Sequence, residues 1–339
     1  MPDTPRTSTL PAAPPRRGLP VLAWLVRYSV IIAFALVCAF FAAMSPTFLT
    51  PANLLNVLVN NVALLAIVAL GMTFVVASGG IDLSVGTSVD MASMVFIMLM
   101  AAGAALGLGL AAGLLAASLV GVVNGLLITR LRISPFLATL GVLFIGQSVQ
   151  QLSTNGGQPI YLVTSQAAEA FAFIGHGRLL GIPLPLWVVF LAYLTVHLLL
   201  NDTPFGRHVR ALGAQPGVAW YSGLRTRRDT IAVYALCAFL CGLAGIIVSC
   251  TVRSYVPLSG NAFLLDAIGA TFIGTTLSAD AERRPNVAGT LLGVVLLGIV
   301  KNGLLLIGWN FYWQQVGTGV LIFLILAVSF ATGRLPTAR

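Results

Sequence analysis

Long apolar runs alternate with short polar breaks along almost the whole chain. Because a helix needs about 20 apolar residues to cross a bilayer, this pattern predicts an all-α polytopic membrane protein with about ten transmembrane helices. The break between the third and fourth runs is marked only by Gly103, Gly107 and Gly109. The predicted spans cover residues 21–43, 54–77, 82–101, 104–128, 135–153, 184–200, 230–250, 263–278, 287–306 and 314–332.

The composition excludes a soluble domain of the same length. Of 339 residues, 58% are hydrophobic and 8% are charged, whereas soluble domains carry about 25% charged residues. Residues 1–20 are rich in Pro, Thr and Arg, which is typical of a disordered segment. The sequence therefore predicts a disordered N-terminus over 1–20, a transmembrane domain over 21–333 and a short tail over 334–339.

The basic residues indicate how the spans are oriented. The formal charge is +9, and 17 of the 18 basic residues are arginines, most of them in short loops. Orientation in a membrane explains this distribution better than nucleic-acid binding does. With a cytoplasmic N-terminus, fourteen arginines fall inside, Arg178 and Arg253 fall outside, and Arg27 lies within the first span. We therefore expect both termini in the cytoplasm.

The second half of the chain repeats part of the first half. Residues Asn124–Leu127 match Asn302–Leu305, and the same offset of 178 residues aligns Gly141–Leu143 with Gly319–Leu321. The offset pairs span four with span nine and span five with span ten. Since five spans is an odd number, the two five-helix halves would be inverted relative to each other, an arrangement typical of transporters.

One segment between spans two and three carries the most informative pattern. Gly79 and Gly80 should interrupt a helix, because ordering glycine costs the most backbone entropy. Asp82 and Ser84 then offer N-cap chemistry for a helix that starts again. With Ser78, these residues are predicted to belong to a substrate pathway, because a broken helix at membrane depth lines a cavity or is buried in protein. A capped cytoplasmic turn that joins the two spans is the open alternative.

Other polar side chains lie inside the predicted spans, where they are costly unless they bond to each other or meet water. Such groups can bond sugar hydroxyls, and they can equally bond one helix to another. Lys301, near the outer end of span nine, can extend its stem toward the interface. The candidates for the substrate pathway are Asn60, Asn61, Asp90, Asn124 and Asp266.

The cytoplasmic loop over about 202–229 is longer than an ordinary connector. Its basic charge and the aromatic pair Trp220 and Tyr221 suggest a docking surface for a cytoplasmic partner, while a solvated positive loop is the alternative. The chain contains no G-x-x-x-x-G-K-[ST] loop for ATP and no arrangement of residues that suggests catalysis or a metal site. The sequence therefore predicts a protein that is not an enzyme. The four cysteines are interpreted as small packing residues.

Several motifs together resemble the ribose/xylose/arabinose type of ABC transporter permease. The resemblance covers about residues 50–332, and two regions depart from it. The turn at 275–285 lacks the family's glycine-rich form, and Gln215–Gly217 stands where family members often have an Asn followed by acidic and Ala residues. Asp90, where a small residue is more usual in that family, is hypothesised to tune substrate preference. The motifs that carry the resemblance are Ser78–Gly86, Arg132–Gly141, Thr203–Gly213, Ser222–Leu224, Gly289–Gly293, Asn302-Gly303 and Tyr312–Gln315.

The resemblance implies a multi-pass protein of the bacterial inner membrane that carries a monosaccharide inward. It implies four partners: a cytoplasmic ABC ATPase that uses the ATP, a periplasmic sugar-binding protein, a second copy or a sister permease, and the sugar itself. No cofactor is expected on this chain, and nucleic acid is not a partner. By the same resemblance, the ATPase would be coupled through Phe205, Gly206, Arg207, Arg210, Gly213, Ser222 and Gly223.

Two other functions stay open at this point. The same kind of importer could carry an amino acid or a nucleoside, although such relatives lack the Gly80–Ser84 pattern. An ion-coupled secondary transporter would need no ATPase, and it would depend on a proton or sodium gradient. The sequence does not name the sugar.

Overall fold

The computed structural model describes residues 29–162, 168–276 and 285–332. The predicted disordered N-terminus, the start of the first span at 21–28, most of the divergent turn at 275–285 and the tail at 334–339 lie outside the described residues. The described part is built almost entirely of helices, which confirms the predicted all-α membrane fold at that level.

Helices occupy every predicted span. Further short helices connect the spans. The second span is one continuous helix in three parts: Pro51–Asn56 (α2), a π-helical turn at Val57–Val62, and Ala63–Ala77 (α3). The others are Ser29–Met44 (α1), Val85–Ala101 (α4), Leu106–Arg130 (α5), Pro135–Ser153 (α6), Ala168–His176 (α7), Leu184–Asn201 (α8), Pro204–Ala214 (α9), Pro216–Tyr221 (α10), Thr226–Val252 (α11), Asn261–Thr276 (α12), Val287–Leu306 (α13) and Phe311–Thr332 (α14).

The bounds of α6 and α13 agree with the prediction at both ends. Six helices within the described residues are long and apolar enough to cross a membrane: Pro51–Ala77, α5, α6, α8, α11 and α13. The apolar helices α1, α4 and α12 are shorter. Multiple crossings are therefore supported, while the count of ten crossings stays a prediction.

The centre of the protein is formed by α3. Every residue of this helix except Leu64 and Val76 is buried, as expected for a helix that is apolar on all sides and surrounded by others. It packs against α8, α11, α12 and α13. In contrast, α5, α6 and α8 expose many large apolar side chains on one face, among them Leu115, Phe144 and Phe190, which suits contact with lipid.

Two small antiparallel strand pairs add to the predicted helices. Ile160–Tyr161 (β1) pairs with Ser254–Tyr255 (β4), and Arg178–Leu179 (β2) pairs with Ile182–Pro183 (β3). The sequence analysis missed these strands because two residues cannot establish an alternating pattern. The pair β1–β4 ties the end of α6 to the end of α11.

The helix break at Gly79 and Gly80 occurs where the sequence predicted it. Helix α3 ends at Ala77, and Gly79 has a φ of 81°, a left-handed conformation that suits glycine. The predicted start of span three at residue 82 is wrong, since α4 begins at Val85. Residues 78–84 form a non-helical connection, named the inner segment from here on.

The packing supports the predicted repeat. Helix α5 packs against α4 and α11, whereas its counterpart α13 packs against α12 and the Pro51–Ala77 helix. The 178-residue offset pairs α4 with α12 and Pro51–Ala77 with α11. Helices α5 and α13 therefore each pack against one helix of their own half and one helix of the other half, and these neighbours are equivalent under the offset. Two repeats related by a two-fold axis exchange partners in this way. The inverted orientation of the halves stays a prediction.

Candidate functional site

Two non-helical segments approach each other along α6 from its opposite ends. The inner segment contacts α6 at Thr139, whose hydroxyl accepts a hydrogen bond from the Leu83 amide at 3.1 Å. Residues 253–260, named the outer segment, contact α6 at Gln150, whose Oε1 accepts a hydrogen bond from the Leu258 amide at 2.9 Å. Thr139 and Gln150 are about 16 Å apart along the helix, so the two segments enter from different faces.

The segments meet where α4 and α12 begin. Gly86 and Gly260 pack backbone against backbone, and a Cβ on Gly86 would lie 2.8 Å from the Gly260 carbonyl oxygen. The neighbouring Thr87 side chain packs against Gly146 of α6. Since α6 is about 28 Å long and Gly146 is about 16 Å from its start, the meeting point lies near the middle of the membrane. We name this place the central junction.

On the inner side of the junction, Asp82 holds its own segment. Its Oδ1 accepts hydrogen bonds from the Ser84 amide and the Ser84 hydroxyl, both at 2.7 Å. The Ser84 hydroxyl in turn accepts one from Asn124 Nδ2 of α5 at 2.6 Å. All three side chains are fully buried. Asp82 therefore closes the turn that leads into α4, and we name this bond the local cap. Ser84, at the N-cap position, makes no side-chain cap hydrogen bond to α4 and links the local cap to α5.

On the outer side, the holding carboxylate comes from another part of the chain. Asp90, in the second turn of α4, accepts hydrogen bonds at Oδ1 from the Gly260 amide at 2.8 Å and from the Ser259 hydroxyl at 3.1 Å. Its side chain is also fully buried. Asp90 thus fastens the start of α12 to α4, and its hypothesised influence on substrate preference stays a prediction.

Some polar atoms of the junction have no hydrogen-bond partner among the described residues. They include Asp82 Oδ2, Asp90 Oδ2, Asn124 Oδ1 and the Tyr234 hydroxyl, all buried. Buried polar groups are nearly always bonded, so these atoms have room for a further partner such as a water molecule or a hydroxyl group. The junction is enclosed by protein, which means that its predicted contact with a substrate stays a prediction.

The remaining intramembrane candidates lie elsewhere. Asp266 of α12 forms an ion pair with Lys301 of α13. Lys301 therefore has a carboxylate partner on the neighbouring helix, and its expected extension toward the interface stays a prediction. Asn61 packs near Gly298. Asn60 is exposed and donates a hydrogen bond to Asn56.

Asn60 belongs to an open cleft of about 290 Å³ between the π-helical turn and the segment after α7. Its other polar lining residues are Asn56, His176 and Arg178. Single π-helical turns are frequent at functional sites. Asn60, one of the predicted pathway residues, therefore faces an open cleft in this structure.

Helix α9, in the predicted coupling loop, lies directly against the inner segment. The Gly213 backbone packs on the Ala77 carbonyl and on Gly79, and a Cβ at Gly213 would overlap that carbonyl oxygen. The Phe205 ring contacts Phe74 of α3, with ring centroids 6.1 Å apart. Gly206 is buried against the Leu200 carbonyl. These three residues of the predicted coupling set face the membrane domain.

The rest of the predicted coupling set faces outward. Arg207, Ser222 and Gly223 are exposed. Arg210 is half-buried and donates a hydrogen bond to Asn201 Oδ1. The aromatic pair Trp220 and Tyr221 is 62% and 84% exposed, so the surface of α9 and α10 has both an inner, packed side and an outer, free side.

The sequence analysis missed the residues that hold the outer segment. They are Gln150, Tyr255, Ser259 and Gly260, and the Tyr255 hydroxyl donates a hydrogen bond to Gln150 Oε1 at 3.1 Å. A polar Gln150 inside an apolar span and the Pro257–Gly260 stretch after span seven were the available signals. Neither signal identifies the residue that forms the hydrogen bond, because the bonded residues are more than 100 positions apart in the chain.

The chain is similar to several curated proteins along nearly its whole length. It is 36% identical over 314 residues to the ribose import permease protein RbsC of Escherichia coli K12, covering 90% of this chain and 94% of that protein. It is 36% identical over 281 residues to RbsC of Bacillus subtilis 168, covering 83% and 85%. It is 30% identical over 326 residues to the L-arabinose ABC transporter permease protein AraH of Azospirillum brasilense, covering 95% and 94%.

No solved structure matches the chain. A family model described as the branched-chain amino acid transport system / permease component matches residues 53–326. The match includes the central junction and the whole of α9 and α10. The chain therefore belongs to this family of transport permeases, and it is a multi-pass protein of the inner membrane and a transport subunit, not an enzyme.

Proposed function

We propose that the chain is the membrane-spanning subunit of an ATP-driven importer that carries a monosaccharide into the cytoplasm. The curated relatives named above carry ribose or arabinose in their names, and others are named for galactofuranose and D-allose. The family description mentions branched-chain amino acids, but these relatives favour a sugar over an amino acid or a nucleoside.

The observation that carries the mechanism is the contact between Gly213 and Gly79. A cytoplasmic ATPase docks on the exposed side of α9 and α10, and the packed side of α9 rests on the inner segment. Because no side chain separates the two backbones, a displacement of α9 moves the inner segment with it. Through Gly86 and Asp90 the movement reaches the outer segment, so ATP binding on one face can open or close the other face.

The substrate pathway is proposed to use the residues identified from the sequence. Asn60 lies in the open cleft, where amide groups can bond the hydroxyls of a sugar. The enclosed groups at Asp82, Asp90 and Asn124 reach a substrate only when the junction opens, and their unbonded oxygen atoms would then gain partners. Asp266, already paired with Lys301, has the weakest claim to a substrate contact.

The proposed partners follow from this arrangement. A periplasmic sugar-binding protein delivers the substrate to the outer face, and a second copy or a sister permease completes the pathway. The chain itself needs no cofactor, since the ATP is used by the partner ATPase. Both termini are cytoplasmic in this proposal, which places α9 and α10 on the ATPase side.

Reconstitution tests the proposal directly. Proteoliposomes that contain the chain, the candidate ATPase and the binding protein should take up a radiolabelled pentose or hexose only when ATP is supplied on the cytoplasmic side. Uptake by the chain alone, driven by a proton or sodium gradient, would overturn the ATP-driven mechanism. Import of an amino acid or a nucleoside in place of a sugar would overturn the substrate class alone.

A pair of glycine variants tests the coupling contact. Gly213→Ala places a methyl group against the Ala77 carbonyl and should separate α9 from the inner segment, whereas Gly217→Ala meets open space. We expect Gly213→Ala to lose most of its uptake while it still binds the ATPase, and Gly217→Ala to behave as the unaltered protein. Normal uptake by Gly213→Ala would show that the contact does not transmit movement.

A further inference from the structure

A polar contact fastens α9 to α11. Nδ1 of His208, in the middle of α9, lies 3.1 Å from Oδ2 of Asp229, in the first turn of α11. Because a carboxylate accepts hydrogen bonds, the imidazole donates this one through Nδ1. The Asp229 side chain is buried and His208 is half-buried. Burial shields the bond from water, and a hydrogen bond to a charged group is stronger than one between neutral groups.

This bond joins two helices and completes neither of them. A carboxylate near the start of a helix often bonds the free amides of its own helix. Asp229 instead accepts its bond from α9, and the N-cap residue of α11, Arg225, makes no side-chain hydrogen bond to the helix. The two helices also pack against each other. The bond therefore sets the position of α9 relative to α11.

Helix α11 leads from this bond to the outer segment. It runs from Thr226 to Val252 as one α-helix of 27 residues without a proline, which makes it about 40 Å long. It ends at Arg253, which has a left-handed φ of 51° and is the first residue of the outer segment. The next residues form β4, which is paired with β1. One helix thus connects α9 with the outer segment.

Helix α9 is therefore held at two points. Gly213 packs against the Ala77 carbonyl and Gly79 of the inner segment, and His208 is bonded to α11. The two points are about 7.5 Å apart along α9. Because a helix as short as α9 moves as a unit, its displacement acts on the inner segment and on α11 together.

We propose that His208 is a positioning residue of the transport cycle, which fixes α9 to α11 through Asp229 so that α11 carries the displacement of α9 to the outer segment. This inference rests on the proposed function, in which the ATPase docks on α9 and α10. The contact of Gly213 moves the inner segment. The bond of His208 adds a second route, which reaches the outer segment without passing through Gly86 and Asp90.

The first test is the variant His208→Ala in the complete importer, reconstituted in proteoliposomes with its ATPase and binding protein. We expect ATP-dependent uptake to fall at least about fivefold, the lower end of the usual coupling between two sites. Binding of the ATPase and the rate of ATP hydrolysis should stay unchanged, so that more ATP is used for each sugar imported. The variant His208→Gln keeps an N–H donor and should restore much of the uptake.

The matched control is another half-buried histidine, His197 of α8. Its Nδ1 lies 3.1 Å from Nδ2 of Asn201 in the same helix, so this contact does not join His197 to another helix. We expect His197→Ala to import sugar as the unaltered protein does, with the same use of ATP.

The second test separates the two routes. Hydrogen exchange of the complete importer, compared with and without ATP, should change over 78–84 and over 253–260 in the unaltered protein. In His208→Ala the change over 253–260 should be lost, because α11 no longer follows α9. The change over 78–84 should remain, because Gly213 still contacts the inner segment.

Three results would overturn the proposal. Normal uptake with normal use of ATP in His208→Ala would show that the bond transmits nothing. Weaker binding of the ATPase by His208→Ala would assign His208 to the docking surface. Loss of the exchange response over both segments would show that the variant displaces α9 as a whole. The hydrogen-exchange comparison needs no knowledge of the solute, so failure of the unaltered importer to carry a sugar would overturn the proposed substrate class alone.

Discussion

The inner segment (78–84) and the outer segment (253–260) solve the same problem in different ways. Each interrupts a path through the membrane, and each leads into a helix that begins near the middle of the bilayer. The inner segment carries its own cap, since Asp82 bonds Ser84 two residues later. The outer segment is capped by Asp90, which lies 170 residues away from Gly260 in the chain.

This difference decides what holds each segment in place. The inner segment can keep its local shape if its neighbours move, because its main hydrogen bonds lie within it. The outer segment depends on α4 for its shape, so a movement of α4 reaches it directly. The arrangement favours transmission from the ATPase side to the outer side, in line with the proposed coupling through Gly213.

The largest effect is expected from the distant cap. Asp90→Ala removes the acceptor of the Gly260 amide and the Ser259 hydroxyl and should lower the free energy of unfolding by about 3 kcal/mol. Unfolding with sodium dodecyl sulfate in mixed micelles measures this change. The control is Asp90→Asn, which keeps an acceptor oxygen and should cost less than half as much. Equal losses of unfolding free energy in the two variants would show that an acceptor oxygen at position 90 is not what stabilises the protein.

A smaller effect is expected from the local cap. Asp82→Ala leaves the buried Ser84 amide without its acceptor, which should cost about 2 kcal/mol. The same unfolding measurement applies. The outer segment should keep its protection from hydrogen exchange in this variant, since its cap is Asp90. Loss of protection over 253–260 would contradict the independence of the two caps.

The hydrogen bond from Asn124 of α5 to Ser84 of the inner segment should contribute less to stability than the Asp82 contact does. Asn124→Ala removes the hydrogen bond to the Ser84 hydroxyl, while Asp82 still holds that hydroxyl. Hydrogen bonds between membrane helices average about 0.6 kcal/mol, so we expect a loss of about 1 kcal/mol once the small cavity is included. A loss greater than that of Asp82→Ala would reverse the roles of cap and link.

The smallest effect on the free energy of unfolding is expected at the C-terminal end of α6, where Gln150 lies. Tyr255→Phe removes one hydrogen bond to Gln150 Oε1, which keeps the bond from the Leu258 amide. The expected loss is about 0.6 kcal/mol. Gln150→Leu removes both bonds and should cost more. If the two variants are equally stable, the Leu258 contact contributes nothing to holding the outer segment.

The two segments also show how far the site could be predicted. Gly79, Gly80 and Asp82 lie close together in the chain, so the break and its cap could be inferred from a short stretch. Asp90 was recognised as an unusual intramembrane carboxylate, but its partners could not be identified. Phe205, Gly206 and Gly213 were expected to face the ATPase, and their packing against the membrane domain became visible only from the positions of α3 and α9.

The sequence by itself determined the apolar runs, the approximate extents of the long helices, the break at Gly79 and the repeat at 178 residues. These properties depend on hydrophobicity, glycine content and capping, which act over a few residues. Only the tertiary structure decided that the two segments meet at Gly86 and Gly260, that Asp90 caps α12, and that Lys301 pairs with Asp266. Those contacts join residues far apart in the chain, and only the packing of the helices brings them together. A polar group buried in the membrane needs a bonding partner, and that partner can come from any part of the chain that the fold places beside it.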